Sequence, residues 1–346
     1  MSRRRPVPAR RLAAALLAAA LAGATAVLLA GNAPSPRTRL KVVYGRYLTS
    51  APLAIARAEG FFEAQGLDVE FVHLPSTADA MPALVQGEID AGGGLIKVAD
   101  FNAIAPGAAL RGVAVRVLAN MGHDEAGPCV TAALVARPGF PEAKGKDGLR
   151  GARASATPLS YGEYVLETFV NSKGLKLADL QLSRLAAASA AEAVAGGSID
   201  VTYLAEPFLS RAVGPGRAVV WTPLSGIVPE AQLGVLLYGP SLVKGDREAG
   251  RRLMAAYLQA MRQYNLGKTP RNVEIISKET GLDPEYLRKI CWTSIDRDGR
   301  IRPDSLLGFQ RWAVRKGLLD AVVPVDSFWD PSFLDAARRI LGPSPR

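Results

Sequence analysis

The sequence predicts an α/β protein of two lobes, each a sheet covered by helices, with a helical C-terminal part packed on the first lobe. Three observations carry this. Short apolar runs alternate with helix-period segments from residue 40 to residue 238, the pattern of strands joined by covering helices. The alternation runs twice: Gly87-Glu88-Ile89-Asp90-Ala91 in the first series is echoed by Gly197-Ser198-Ile199-Asp200-Val201 in the second, each at a helix end and a strand start. Beyond residue 250 the periodicity is helical throughout.

Leu40-Lys41-Val42-Val43-Tyr44 reads as the first strand. Pro52 opens a helix whose inner face includes Ala54, Ala58 and Phe61, and Gly66 ends that unit. A strand at 69–74 follows. Ser76 then caps a helix with Asp79 in its first turn and Met81, Leu84, Val85 and Ile89 on its apolar stripe. Asp90 to Gly94 forms the third strand and its exit, and 113–118 supplies another strand.

The second series starts near Cys129, with strands at 131–135 and 153–157. Ser160-x-x-Glu163 reads as a capping box ahead of Val165, Leu166, Phe169 and Val170, with Gly174 as the stop. A strand at 180–185, a second box at Ser189-x-x-Glu192 and a strand at 199–204 complete the set. The run 232–238 returns the chain to the first lobe. Leu253, Ala256, Tyr257, Ala260, Met261 and Tyr264 then form an amphipathic stripe, and Thr269-Pro270, Asp283-Pro284 and Asp330-Pro331 each open a helix. Gly281 and Gly317 sit where helices stop. The expected division is 1–33 signal peptide, 34–127 first lobe, 128–235 second lobe and 236–346 return to the first.

Composition is globular, with 49% hydrophobic and 21% charged residues in 346. The net charge of +10 suggests nucleic acid at first sight. Five of the basic groups, Arg3, Arg4, Arg5, Arg10 and Arg11, stand in the first 33 residues, which hold no acid; the rest of the chain has 37 basic against 32 acidic residues, a net of +5. Both signs are scattered there without a basic run, so nucleic acid is not an expected partner. An apolar stretch at 12–29 and the small-residue exit Gly31-Asn32-Ala33 complete an export signal. Cleavage before Pro34 and retention as a membrane anchor both stay open, as do general and twin-arginine export (Ser2-Arg3-Arg4); no cysteine lies near the exit for lipidation. The expected location is periplasmic or otherwise extracytoplasmic.

Cys129 and Cys291 are the only cysteines. Far apart and in no known spacing, they read first as two unpaired buried thiols, with pairing in an oxidising compartment left open. His73 and His123 form no metal-ligand spacing, so neither zinc nor any cofactor is expected. The chain lacks G-x-S-x-G, G-x-x-x-x-G-K-[ST] and G-x-G-x-x-G, and general bases are scarce. A catalytic reading therefore has little support.

Residues 51–70, APLAIARAEGFFEAQGLDVE, resemble the N-terminal signature of the nitrate/sulfonate/taurine-type solute-binding proteins of ABC importers, a family that extends to binders of thiamine-precursor pyrimidines. Residues 81–90 are similar to its A-L-x-x-G-x-I-D stretch. Gly148-Leu149-Arg150-Gly151-Ala152-Arg153 is similar to its D-L-[KR]-G-[KR] motif, shifted because Gly148 follows Asp147, and Gly197 to Asp200 with Glu206-Pro207 resemble its G-x-[IV]-D-x…E-P pattern. Order and spacing agree from about Lys41 to Tyr238. The resemblance implies a type II periplasmic-binding fold with a ligand between the lobes, a membrane permease as partner, and a monomer.

In open α/β sheets ligands sit beyond the carboxyl ends of strands, where helix N-termini offer free N–H groups. Candidate ligand residues are therefore Tyr47, Ser50, Ser76, Thr77, Gly93, Gly94 and Asn120 from the first lobe, with Thr157, Ser160, Tyr161 and Glu206 from the second. An anion such as a sulfonate or nitrate suits the N–H groups at Ser76 and Ser160 with Arg46 as partner; a pyrimidine or other amino-bearing ring suits Tyr47, Tyr161 and Glu206. Ser76 and Ser160 also serve as plain helix caps, and Asn120 as a turn residue. The competing functions are an enzyme of the thiamine-pyrimidine or menaquinone pathway on the same fold, against which the export segment speaks, and a ligand-sensing subunit of a membrane receptor.

Overall fold

The computed structural model of the chain describes residues 37–45, 47–73, 80–104, 116–124, 127–140 and 147–342. The export segment, Arg46, Ser76, Thr77 and Asp79 lie outside the described residues. In the first lobe, β1 (Thr38–Val43) and β2 (Leu67–Val72) run parallel, and β1 also pairs in parallel with β3 (Ala91–Leu95). Between β1 and β2, α1 (Ala51–Ala58) holds Pro52 in its first turn, as expected. It stops earlier than the apolar spacing suggests. Gly60 adopts φ 70°, so Phe61 begins a separate short helix, α2 (Phe61–Ala64); Phe62 is buried there while Ala58 is exposed.

The rest of the lobe comprises α3 (Ala80–Gln86), α4 (Val98–Ile104) and β4 (Arg116–His123). The glycine triplet lies within β3 rather than at its exit. The reason is close approach: a Cβ on Gly93 would stand 2.3 Å from Val235 O and 2.4 Å from Met121 Sδ. Glycine lets neighbouring strands and Met121 close over that position.

The second lobe holds β5 (Ala132–Ala136), β6 (Arg153–Ser155), α5 (Tyr161–Ser172), β7 (Gln181–Ser183), α6 (Ala187–Ala195), β8 (Val201–Ala205), α7 (Phe208–Ala212) and β9 (Val219–Pro223). β10 (Gln232–Tyr238), every residue buried, then enters the first sheet. The sheets are ordered β2-β1-β3-β10-β4 and β7-β6-β8-β5-β9. β10 runs antiparallel to β3 and β4, and β5 antiparallel to β8 and β9. The strand that follows each crossing thus takes the same fourth place in its sheet.

The repeated Gly-x-Ile-Asp has one job in both lobes. Gly87 and Gly197 turn the chain at φ 76° and 74°, and Ile89 and Ile199 are buried. Asp90 Oδ2 accepts from the Lys41 N–H of β1 at 2.8 Å; Asp200 Oδ2 accepts from the Arg153 N–H of β6, also at 2.8 Å. Each carboxylate therefore ties the strand it leads into, β3 or β8, to that strand's parallel neighbour, β1 or β6. Arg137 and Arg153 add side-chain hydrogen bonds to Asp200; although burial opposes ionisation, these hold its carboxyl well below the usual range.

Two expected features differ. Ser189 does not cap its helix, because α6 begins at Ala187 and Ser189 falls in the first turn. β9, with no fully buried residue, sits at the sheet edge and has no strand-like alternation to announce it.

The C-terminal part comprises α8 (Arg247–Tyr264), α9 (Pro270–Thr280), α10 (Pro284–Lys289), α11 (Pro303–Arg315), α12 (Val325–Phe328) and α13 (Ser332–Leu341). Thr269 and Asp283 accept from Asn272 and Tyr286 N–H groups, capping α9 and α10 as expected. α8, α9 and α13 cover the first sheet, sharing an apolar cluster with Leu40, Val42 and Leu53. α11 does more than the expectation held. Its Phe309 meets Phe101 of the first lobe at 6.1 Å and stacks on Tyr161 of the second at 5.8 Å. Trp312 Nε1 donates to Glu167 Oε2 at 2.8 Å, and Lys316 lies 3.1 Å from Glu167 and 3.5 Å from Glu163 on α5. One apolar cluster consequently runs from Met81 and Phe101 through Phe309 to Leu166 and Phe169.

Of the two readings of the cysteines, the less favoured one holds. Cys129 and Cys291 form a disulfide, with Cα atoms 5.5 Å apart across 162 residues of sequence. Sequence distance misleads here because Cys129 lies just past the end of β4, and the segment after α10 folds back beside that end.

Candidate functional site

The carboxyl ends of β1 and β3 in the first lobe meet those of β6 and β8 in the second. Two rims are in contact. At one, Lys97 after β3 forms an isolated antiparallel bridge with Ser160 after β6, and the Val98 N–H donates to Leu159 O at 3.4 Å. At the other, the ring of Tyr47 after β1 meets Phe208 edge-on at 6.4 Å, and Tyr286 of α10 donates its hydroxyl to Pro207 O at 2.7 Å.

At the first rim, Ser160 Oγ accepts from the Glu163 N–H of α5 at 3.3 Å and donates to Thr157 O at 2.6 Å. Only half of the expected capping box forms, because Glu163 Oε2 accepts from the Leu159 N–H (2.7 Å) instead of from Ser160. Leu159 stands in the left-handed region at φ 61° and is 47% exposed, an apolar side chain presented at a strained position. Lys97 turns its ammonium to buried Asp100, 3.0 Å away. Burial pushes the Asp100 carboxyl up, against the pull of Lys97.

At the second rim, Glu206 directly follows β8 and precedes a cis bond to Pro207. Its carboxylate is only 5% exposed and accepts from Ser210 Oγ at 2.5 Å and Ser210 N–H at 3.3 Å. Burial raises its pKa to about 7, with the Ser210 hydrogen bonds and the charge of Lys268 opposing. Tyr286 beside it is pushed up to about 12, by burial first and by Glu206 second, so it remains a hydroxyl donor at neutral pH.

Tyr47, Ser160 and Glu206 are thus placed at the two contacting rims. Thr157 lies beside Ser160, exposed, with Oγ1 donating to Leu185 O at 3.3 Å. Ser50 is buried ahead of α1. The remaining candidates sit elsewhere. Gly93 and Gly94 are paired to β10 inside the sheet. Asn120 is not past a strand end but within β4, fully buried: its amide donates to Arg300 O (3.0 Å) and its Oδ1 accepts from the Gly122 N–H (2.8 Å). Tyr161, 1% exposed, belongs to the ring cluster with Tyr164 and Phe309. Lys97, Leu159, Phe208 and Tyr286 were not anticipated. Lys97, the first charged residue beyond the glycine triplet, offered a signal; Leu159 offered none, since a left-handed leucine has no sequence mark.

A cavity of about 340 Å³ opens beside His123, walled by Tyr264, Trp292, Thr293, Asp296 and Arg297. None of the residues named at the two rims lines it. Among the described residues no cluster of His, Cys, Asp or Glu is arranged to hold a metal ion.

Two wound sheets joined by two crossings, with strand ends facing each other, define the type II periplasmic-binding architecture. The model of the NMT1-like family matches residues 33–277, and the chain belongs to that family. No curated protein matches it. Among solved structures it is similar to a ligand-binding component of an ABC-type import system from Staphylococcus aureus, solved with zinc bound (18% identity, TM-score 0.71, covering 88% of this chain and 100% of that one). It is likewise similar to the nitrate-binding protein NrtA from Synechocystis PCC 6803 (17%, 0.68, 90% and 90%) and the aliphatic sulphonate-binding protein SsuA from Escherichia coli (18%, 0.65, 84% and 97%). The desulfurization enzyme DSZB shares the fold as well (15%, 0.60, 88% and 100%).

Proposed function

We propose that the chain is an exported solute-binding protein that captures a small molecule between its lobes and delivers it to the permease of an ABC-type importer. The observation that carries this reading is the pairing of strand-end loops across the lobes, Tyr47 with Phe208 and Lys97 with Ser160. A ligand that touches both sides favours the closed form over the open one, which is what a capture device requires. The import components among the similar structures support the same role. Tyr47, Ser50, Ser76, Thr77, Thr157, Ser160 and Glu206 are the proposed ligand contacts, and sulfonates, nitrate and pyrimidines the proposed ligand classes.

Action outside the cytoplasm follows from the N-terminal segment, whether cleaved or kept as an anchor. The Cys129–Cys291 bridge supports it, since disulfides persist in oxidising compartments. Among the described residues no helix is long and apolar enough to cross a membrane. The protein is taken to act as a monomer.

The test is a thermal-shift screen of sulfonates, nitrate, pyrimidines, flavins and small carboxylates, followed by mass analysis of the recovered ligand. A binder at a hundredfold excess over its Kd stabilises the fold by about 2.7 kcal/mol. Capture predicts a raised melting temperature and a chemically unchanged ligand; a converted ligand would instead make the chain an enzyme.

A further inference from the structure

The first crossing leaves the first lobe at His123, whose N–H donates to Ser294 O at 2.9 Å. The segment that receives it is fixed to the first lobe. Trp292 stacks on Tyr264 at 5.3 Å, Tyr264 donates to Thr293 O at 2.8 Å, and the Asn265 amide donates to Ile295 O at 2.9 Å. Cys291 heads this segment and is bonded to Cys129, further along the crossing.

The second lobe is already anchored at Thr131, whose carbonyl accepts from the Glu206 N–H at 2.9 Å, and at Ala132, which pairs with Ala205. Val130 is the one residue between these anchors. The return crossing runs alongside, with the Asp124 N–H donating to Ala231 O at 2.8 Å. There Glu230 adopts φ 50°, a left-handed conformation uncommon for a residue with a side chain.

We propose that the Cys129–Cys291 disulfide sets the pivot of lobe motion: it clamps the first crossing to the first lobe and leaves Val130 and Glu230 as the residues that rotate. Without the bridge the crossing's next described tie to the first lobe is the hydrogen bond from the His123 N–H to Ser294 O, and the Thr131 hydroxyl donates to Asp124 Oδ1 at 3.1 Å. Hinges are a few loop residues that absorb φ/ψ changes, and shortening the free segment narrows the range of opening. Cys129 is exposed, so a dithiol can reach the bond. One thiolate of the dithiol attacks a sulfur to give a mixed disulfide. The second then closes the reagent's own disulfide, and Cys129 and Cys291 leave as two thiols carrying the two electrons and two protons.

The inference borrows from the capture reading only the role it gives to lobe motion, and its test uses no ligand, so either can fail alone. Paired dyes attached through non-natural residues at exposed Leu182 of the second lobe and Leu266 of the first report the interlobe distance distribution. The oxidised chain is compared with dithiothreitol-reduced chain and with Cys129→Ser/Cys291→Ser, each checked by its melting curve to be folded. A broader distribution without the bridge, and faster amide exchange confined to 124–131, is expected. Glu230→Gly, which keeps the bridge, is expected to broaden it through the return crossing and decides the matter should the double variant not fold. Unchanged distributions, or faster exchange spread evenly over both lobes, would overturn the proposal.

Discussion

Glu206 keeps its proton longer than an ordinary carboxyl because the fold buries it with little beyond Ser210 to receive its charge. Its pKa is about 7 when folded against an ordinary 4.5. Between those values the folded chain binds the extra proton, so stability falls as pH rises from about 4.5 through about 7 and then levels, a loss of about 3 kcal/mol. Glu206→Gln is expected to flatten this part of the pH–melting curve and to melt higher than the parent above pH 7; equal slopes in both proteins would refute it. Gly93→Ala should cost about 1–3 kcal/mol in denaturant unfolding, because backbone and Met121 occupy the Cβ position. These residues also mark what could be read in advance. Glu206 was singled out because it directly follows a strand, and the structure places it just past β8. Asn120 was misplaced because β4 runs to His123, beyond the apolar run that signals a strand. The amide is used inside the lobe.

Among elements, α10 and α11 reach across the lobes, and their contacts are separable. Tyr286→Phe removes the hydroxyl bond to Pro207 and should destabilise by about 1 kcal/mol. Lys316→Met leaves Glu163 and Glu167 facing each other without a cation, and a further Glu167→Gln should recover part of the loss; simple additivity in the double-mutant cycle would show that no coupling exists. Strands and helices with clean periodicity were legible, down to the caps at Thr269 and Asp283. The Gly-x-Ile-Asp echo was legible because the same backbone tie recurs, Asp90 to Lys41 and Asp200 to Arg153. β9 and the start of α6 were not: an edge strand lacks the buried face that writes alternation, and an alanine N-cap leaves no mark. Nor does helical periodicity in α11 say that its apolar face serves two lobes at once.

For the whole molecule, the disulfide closes a loop of 162 residues, so its loss should lower stability by about 2–5 kcal/mol, read as a lower denaturation midpoint of the reduced chain. It was not favoured on sequence because pairing is decided by the return of the C-terminal segment to the end of β4, a long-range contact that spacing does not encode. The clamp itself was legible, since two matching series of strands and helices require two sheets. The proposed capture role requires both lobes to contribute to one site, so that ligand and closure are linked. Small-angle scattering of the chain, with and without a ligand found in the thermal screen, tests this most directly. A smaller radius of gyration on saturation is the predicted result; an unchanged one with a ligand shown to bind would contradict the account.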